Sequence, residues 1–271
     1  MNVLVTGGNG FIARNLLVHL QERKDIEVNL FVRGDDLAAL KLKVANADCI
    51  FHLAGVNRPQ DPAEFDSGNS ELTQQLCDAI KASGRKIPVL YSSSTQAERD
   101  NPYGLSKLAA ERALMALHQQ NASPVYIFRL PNVFGKWARP NYNSAVATFC
   151  NNIAHDLPIQ IHDESAALNL VYVDDVVSKF LAIMDGEATD SGLVEVEPVY
   201  STSVGELAAQ IRRFRASRDT LVTENVGVGL IRALYSTYLS YLPPAAFTYE
   251  VPKYGDPRGV FVEMLKTPEA G

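Results

Sequence analysis

Cysteine is scarce in this chain of 271 residues: Cys49, Cys77 and Cys150 are odd in number and far apart. That pattern excludes a disulfide framework, and because Cys49 and Cys150 lie in apolar runs they read as reduced core residues. Long apolar runs are missing too. Nowhere do about 18 consecutive apolar residues occur, so no membrane-spanning helix and no membrane partner is expected. The opening MNVLVTGG has no basic start, apolar region or cleavage site, which makes the cytoplasm the expected compartment. The five histidines show no ligand-like spacing with one another or with cysteine, so no metal site is expected. Basic residues are outnumbered, 25 Lys and Arg against 31 Asp and Glu, and a net charge of −6 argues against nucleic acid as a partner. An anionic small substrate would need a local basic cluster instead.

What is present is an alternation of strand-like and helix-like segments. Val3 to Val5 is a short apolar run, Phe11 to Leu20 carries apolar residues at helical spacing, and Val28 to Val32 is again strand-like. The pattern repeats with a helix around Leu37 to Val44, a strand from Cys49 to Leu53 and a helix around Glu64 to Ala82. A strand from Val89 to Ser92, a helix from Tyr103 to His118 and a strand from Val125 to Arg129 follow. Such alternation predicts a mainly parallel sheet with helices on both faces. So little chain separates Val32 from Cys49 that the usual third strand is expected to be missing or vestigial. Beyond Pro131 the alternation fades into shorter elements punctuated by Asn141, Asn143, Pro158, Pro198 and Pro243–Pro244, the expected substrate lobe. The tail from Tyr254 combines a turn signal, Asp256-Pro257-Arg258-Gly259, with an alternating strand that needs a neighbour.

Gly7-Gly8-Asn9-Gly10-Phe11-Ile12-Ala13 stands between a strand and a helix, the setting that a phosphate-binding turn requires. Gly7 permits the tight turn, Gly10 lets the backbone approach a pyrophosphate, and Ala13 keeps helix and strand close. The GVG string at Gly227 to Gly229 has no clear strand before it and reads as a loop. Where NAD-binding enzymes place a carboxylate at the end of the second strand, this chain has Arg33. A guanidinium suits a 2′-phosphate, so NADP(H) is favoured, the alternative being a solvated turn with Asp35 and Asp36.

Tyr103-Gly-Leu-Ser-Lys107 opens a helix, with Asn101 as a candidate cap and Pro102 in an early helical position. Tyrosine and lysine four apart share a face, and the ammonium is expected to lower the phenol toward working pH so that it exchanges a proton with a carbonyl or carbinol. The hydroxyl run Ser92-Ser93-Ser94 ends the preceding strand at the edge where ligands of open α/β sheets bind, and Ser94 is the candidate holder of a substrate oxygen. The plainer reading of that run is strand-end hydrogen bonding.

TGGNGFIA, FHLAG, SSS, YGLSK and RLPNVFG, in this order, resemble the extended short-chain dehydrogenase/reductase family over roughly residues 1 to 245. The resemblance implies an α/β fold of Rossmann type, a doubly wound parallel sheet with a smaller C-terminal substrate lobe. It implies Ser94, Tyr103 and Lys107 as the catalytic residues. Gly7, Gly10, Phe11, Ile12, Arg33, Leu53, Ala54, Gly55 and Pro131 would contact the cofactor together with Tyr103 and Lys107. Asn69 and Asn132 would lie near a bound sugar nucleotide, with Arg139 and Arg218 as the basic residues for its diphosphate.

HLAGVNRP, QAERDNPYGLSK, PNVFGKW, PNYNS, YVDDVV and YSTYLSYLP resemble, more narrowly, the bifunctional CapF-type enzymes of bacterial capsule and O-antigen synthesis, which join such a reductase to a zinc-binding cupin. The activity implied is NADPH-dependent reduction of the C-4 ketone of a UDP-linked 4-keto-6-deoxy-N-acetylhexosamine, giving UDP-2-acetamido-2,6-dideoxy-L-talose. On this reading residues 1–250 form the reductase, with a cofactor core of about 1–165 and an interleaved substrate lobe of about 166–250. Residues 251–271 would be the opening strand of the cupin, pairing within its own domain or in a homodimer. A 4,6-dehydratase is disfavoured because the acid-base pair expected after the catalytic hydroxyl is replaced by Thr95 and Gln96. A 4-epimerase would retain NAD⁺, and a non-catalytic NADP(H) sensor would have no use for Ser94, Tyr103 and Lys107.

Overall fold

A computed structural model describes residues 1–59, 61 and 64–267; the last four residues of the tail strand expected over 251–271 lie outside the described residues. The chain opens with β1 (Asn2–Thr6), α1 (Phe11–Gln21), β2 (Glu27–Phe31), α2 (Leu37–Asn46) and β3 (Cys49–His52). A π-helical turn, Asp66–Glu71, leads into α3 (Leu72–Ser83), and β4 (Val89–Ser94), a 3₁₀ turn (Thr95–Glu98), α4 (Pro102–Asn121) and β5 (Val125–Leu130) follow. Next come β6 (Asn132–Phe134), α5 (Ala145–Ala154), β7 (Ala167–Tyr172), α6 (Val173–Met184) and β8 (Gly192–Leu193). The described chain closes with β9 (Val199–Ser203), α7 (Val204–Thr220), α8 (Gly229–Leu239), β10 (Lys253–Asp256) and β11 (Gly259–Val262).

These elements divide into two units, Met1–Pro131 with Val173–Pro198, and Asn132–Tyr172 with Val199–Gly271. The units interleave in sequence, and the first break falls after Pro131 rather than near residue 165, because β6 pairs with β7 and not with the first sheet. The first unit is built on a parallel sheet in the order β2-β1-β3-β4-β5-β8. Among the described residues no strand lies beyond β2, the position where a third strand was expected to be missing. Val3, Leu4 and Val5 are fully buried, as a strand covered on both faces requires. In α1 the buried residues Ala13, Leu16 and Leu20 recur at helical spacing, so one stripe packs on the sheet. All three cysteines are free and buried.

In the second unit a sheet of order β6-β7-β9 meets α7 through β9, α5, α7 and α8 pack on one another, and α7 is opened by a reciprocal capping box between Ser203 and Glu206. The tail strand β11 finds its neighbour at once, since it pairs antiparallel with β10 across the Asp256–Gly259 turn. Beyond it, Lys266 exchanges backbone hydrogen bonds with Leu221 and Thr223, both at 2.7 Å, so the tail is tied to its own unit. Gly229 starts α8, and the preceding residues form a turn, in keeping with a loop at the GVG string. Among the described residues no helix is long and apolar enough to cross a membrane.

Candidate active site

The carboxyl edge of the first sheet gathers the glycine turn, the β3 end, the serines of β4 and the first turns of α4. Gly7 adopts φ +71°, and a Cβ on it would stand 2.6 Å from Cα of Ala54, so any side chain there collides with the β3 end. Gly10 caps α1 from an extended conformation without a side chain, and its N–H is donated to Gly7 O at 2.8 Å. The turn is therefore lined by backbone, with Phe11, Ile12 and Ala13 opening the helix. Such a helix start favours a bound phosphate. Arg33 follows β2 with its side chain 90% exposed and only a 4.0 Å approach to Glu64, so its guanidinium is presented to solvent.

Ser94 ends β4 and caps the 3₁₀ turn by accepting from Gln96 N–H at 3.2 Å. Its hydroxyl also faces the Tyr103 phenol closely enough to favour the ionised form of that phenol. Asn101 caps α4 by accepting from Gly104 N–H at 2.8 Å, and Pro102 fills the first turn. Gly104 has to be glycine, because a Cβ would lie 2.2 Å from Gln96 O. The first turn of α4 thereby closes directly on the turn that follows Ser94, which brings Ser94 and Tyr103 together.

Lys107 is buried, donates from Nζ to Ser92 O at 2.9 Å, and lies 4.8 Å from the centre of the Tyr91 ring. Burial pulls its ammonium down to about 8, partly opposed by Glu111. Tyr103 departs from the expectation drawn from spacing. Burial raises its phenol, and the opposing influence is the Ser94 hydroxyl rather than Lys107. Spacing on a helix says nothing about desolvation, and here desolvation is the larger effect.

Asn69 is also placed differently from the expected sugar contact. Its side chain is buried; it accepts from Val56 N–H at 2.9 Å and donates to Val56 O at 3.0 Å and to Ser106 Oγ at 2.9 Å. These bonds occupy the carboxamide in a clamp on the chain after β3, so its geometry is that of a support. Leu53, Ala54 and Gly55 follow β3 directly, and a Cβ on Gly55 would come within 3.3 Å of Lys107 Nζ. Pro131 is the last residue of the first unit's opening segment.

In the second unit Asn132 is exposed and donates to Asn169 O at 3.1 Å. Arg139 lies 5.1 Å from the Tyr142 ring and Arg218 lies 4.7 Å from the Tyr249 ring. The neighbouring arginines are used otherwise: Arg213 pairs with Glu224, and Arg215 pairs with Asp156 and Asp219.

Sequence reasoning missed the support behind the site. Glu111, almost fully buried on α4, accepts from Ser93 Oγ at 2.5 Å and from Arg129 Nη2 at 2.7 Å, and Arg129 also pairs with Glu98 at 2.9 Å. One arginine thus joins β5, α4 and the turn after Ser94. No local pattern announces that pairing; Gly104 alone had a signal, since glycine in a first helical turn is costly without a close neighbour. Among the described residues no group of three or more His, Cys, Asp or Glu could hold a metal ion.

Comparison with known proteins follows the same outline. The model of the NAD dependent epimerase/dehydratase family matches residues 3–194. The UDP-2-acetamido-2,6-beta-L-arabino-hexul-4-ose reductase of Pseudomonas aeruginosa is 60% identical over 271 residues, all of this chain and 73% of that protein. A human dTDP-D-glucose 4,6-dehydratase is 24% identical over 256 residues, 77% of this chain and 72% of that protein. Among solved structures, the capsular polysaccharide assembling protein CapF from Staphylococcus aureus superposes with a TM-score of 0.90 at 39% identity, covering 100% of this chain and 74% of that one.

Proposed function

The chain belongs to the NAD dependent epimerase/dehydratase family and so works with a nicotinamide cofactor, and from that premise we propose that it is an NADPH-dependent 4-ketoreductase of a UDP-sugar. The substrate in this reading is a UDP-linked 4-keto-6-deoxy-N-acetylhexosamine, and the product is UDP-2-acetamido-2,6-dideoxy-L-talose. The observation that carries the chemistry is that the first turn of α4 closes on the turn after Ser94, which sets Ser94 beside Tyr103, with Lys107 buried one turn further along α4. The substrate class is supported by the 60% identity to the Pseudomonas aeruginosa reductase over the whole chain.

The backbone cradle fits a dinucleotide, because the Cβ missing at Gly7 leaves the turn free to close on Ala54 while the N-terminus of α1 stays without a side-chain cap. Gly7, Gly10, Phe11 and Ile12 would hold the pyrophosphate, and Arg33, exposed at the end of β2, would meet a 2′-phosphate. A bound reduced nicotinamide supplies the electron pair, as hydride, that turns a ketone into a secondary alcohol. Ser94 orients the ketone oxygen with its hydroxyl. Tyr103 donates its phenolic proton to that oxygen, and Lys107 stabilises the phenolate left behind. A neutral phenol is the form this role requires at the start of reduction, and burial keeps Tyr103 in that form. Arg139 and Arg218 are proposed for the substrate diphosphate, each steadied by a tyrosine ring.

Absorbance at 340 nm, followed with NADPH and a panel of UDP-4-keto sugars, tests the reading. Oxidation confined to the 4-keto-6-deoxy-N-acetylhexosamine series is expected, with an alcohol at C-4 in the product. An absence of turnover across the panel, with the protein folded and NADPH bound, would reject it.

A further inference from the structure

We propose that His52 is a positioning residue for the reacting centre, the middle link of a buried hydrogen-bond chain of forced direction that runs from Ala54 N–H to the Asn69 carbonyl, from where the Asn69 side chain and Ser106 continue to the carbonyl oxygen of Tyr103. The direction follows from counting hydrogens. The single hydroxyl hydrogen of Thr73 is donated to Asn69 O at 2.7 Å. Its 2.8 Å contact with His52 Nε2 must therefore be one it receives, which puts the ring hydrogen on Nε2. Nδ1 is then the acceptor for the Thr6 hydroxyl at 2.8 Å, and Thr6 Oγ1 in turn accepts from Ala54 N–H at 3.1 Å. At the other end Asn69 donates to Ser106 Oγ at 2.9 Å, and Ser106 donates to Tyr103 O at 2.8 Å. Thr6, His52, Asn69, Thr73 and Ser106 are each 0 to 2% exposed, so no link has bulk water as a substitute partner.

Both ends bear on chemistry. Ala54 is the residue that leaves no room for a side chain at Gly7, and Ser106 lies between Tyr103 and Lys107 on α4. The imidazole stacks on Tyr91 at 5.3 Å, on the ring that also carries Lys107 Nζ. Burial and the Lys107 charge push the imidazole down to about 3, so the ring stays neutral and the chain keeps one direction at working pH. A break in the middle is then felt at both ends, as weaker cofactor binding and as a displaced Tyr103. This inference rests on the reading of Tyr103 as the proton donor, but not on the identity of the sugar.

The test is a pair of variants at the central hydroxyl, Thr73→Val and Thr73→Ser, with unaltered protein as reference. Thr73→Val, shown folded by circular dichroism at the assay temperature, is expected to raise the NADPH Kd and to lower kcat, each by roughly five- to tenfold. Thr73→Ser restores the hydroxyl and is expected to recover most of both. Folded Thr73→Val with wild-type Kd and kcat, and only a lowered Tm, would overturn the proposal in favour of simple core stability. Histidine ¹⁵N spectra of the unaltered chain provide a second measurement that needs no variant to fold. One imidazole, identified through its contact with Tyr91, is expected to hold the Nε2–H tautomer unchanged from about pH 5 to about pH 9. An Nδ1–H tautomer, or protonation within that range, would overturn the forced direction. If instead Tyr103→Phe retained full turnover, the reading of the reacting centre would fail while the tautomer result stood.

Discussion

The two units present their candidate functional groups differently. In the first, two buried polar clusters lie under the sheet edge: Ser93, Glu111 and Arg129 form one, and Thr6, His52, Thr73 and Asn69 the other. In the second, the candidate ligands stay near the surface, with Arg139 and Arg218 resting on tyrosine rings and Asn132 donating to Asn169 O. The hairpin of that unit and the residues just after it leave Val260, Phe261 and Met264 exposed at 63 to 70%. Buried clusters are stiff and coupled, so a substitution inside one is felt by every member. Surface cations on rings act singly and contribute little each. On the proposed reading, the contrast predicts that changes in the first unit act on turnover and cofactor binding, and that changes in the second act on substrate affinity.

The sharpest way to break that comparison is Tyr103→Phe. The ring keeps its packing against Phe65, 5.6 Å away, so the fold and NADPH affinity are expected to persist. Loss of the proton donor is expected to cut kcat by roughly 10² to 10⁴. Turnover near wild type would remove Tyr103 from the reaction and leave the first unit as a binding scaffold.

Lys107 makes a prediction about pH. Its folded value of about 8 lies below the ordinary 10.5, so between those limits the unfolded chain holds a proton that the folded one has released. Stability contributed at this site therefore rises as pH increases from about 8 to about 10.5, by up to roughly 3 kcal/mol relative to a Lys107→Met variant, which lacks the group. Turnover is expected to move the other way, declining as pH rises through about 8, because in the proposed reaction the ammonium stabilises the Tyr103 phenolate. Urea titrations of both proteins across this range, set beside the kcat profile, check the two opposed slopes. Parallel stability curves for the two proteins would mean that Lys107 is not desolvated as its burial implies.

Cofactor choice comes next in size. Arg33→Asp is expected to weaken NADPH binding by about 1.5 to 3 kcal/mol, the scale of hydrogen bonds to charged groups, while sparing or improving NADH. Fluorescence titration with both cofactors measures it, and an unchanged NADPH affinity would take Arg33 out of the site. The side chain is 90% exposed, so a change in stability is not expected to accompany the loss.

What could be read in the sequence follows the same division. The glycine turn, the Asn101 cap and the Tyr103–Lys107 spacing were legible because each is a demand of local backbone on neighbouring residues. That no strand lies beyond β2 among the described residues was legible for the same reason, from the short chain between Val32 and Cys49. The role of His52 was not, since its two partners stand 46 and 21 residues away and only the sheet brings them together. The Glu111–Arg129 pair is likewise a product of α4 crossing β5. Spacing also misjudged the Tyr103 phenol, because burial is a property of the packed site and not of the motif. In the second unit β7 pairs on one side with β6 and on the other with β9, and no local pattern in the sequence announced that order.

The smallest expected effect sharpens the comparison from the side of the second unit. Arg218 stands near the end of α7 with its guanidinium 4.7 Å from the centre of the Tyr249 ring, a contact that contributes about 0.5 to 1 kcal/mol at an exposed site. If it also meets the substrate diphosphate, Arg218→Ala removes a charge-assisted bond from the ground state and the transition state alike. The Michaelis constant for the UDP-sugar is then expected to rise about three- to tenfold while kcat and the NADPH Kd stay unchanged, the pattern of uniform binding. Arg218→Lys, which keeps the charge but loses the planar fork, is expected to fall between the two. Steady-state kinetics on the three proteins, with thermal melts alongside, separate the outcomes: a lower Tm with an unaltered Michaelis constant would mean that Arg218 serves Tyr249 and the helix end, and that the second unit binds its substrate with other residues.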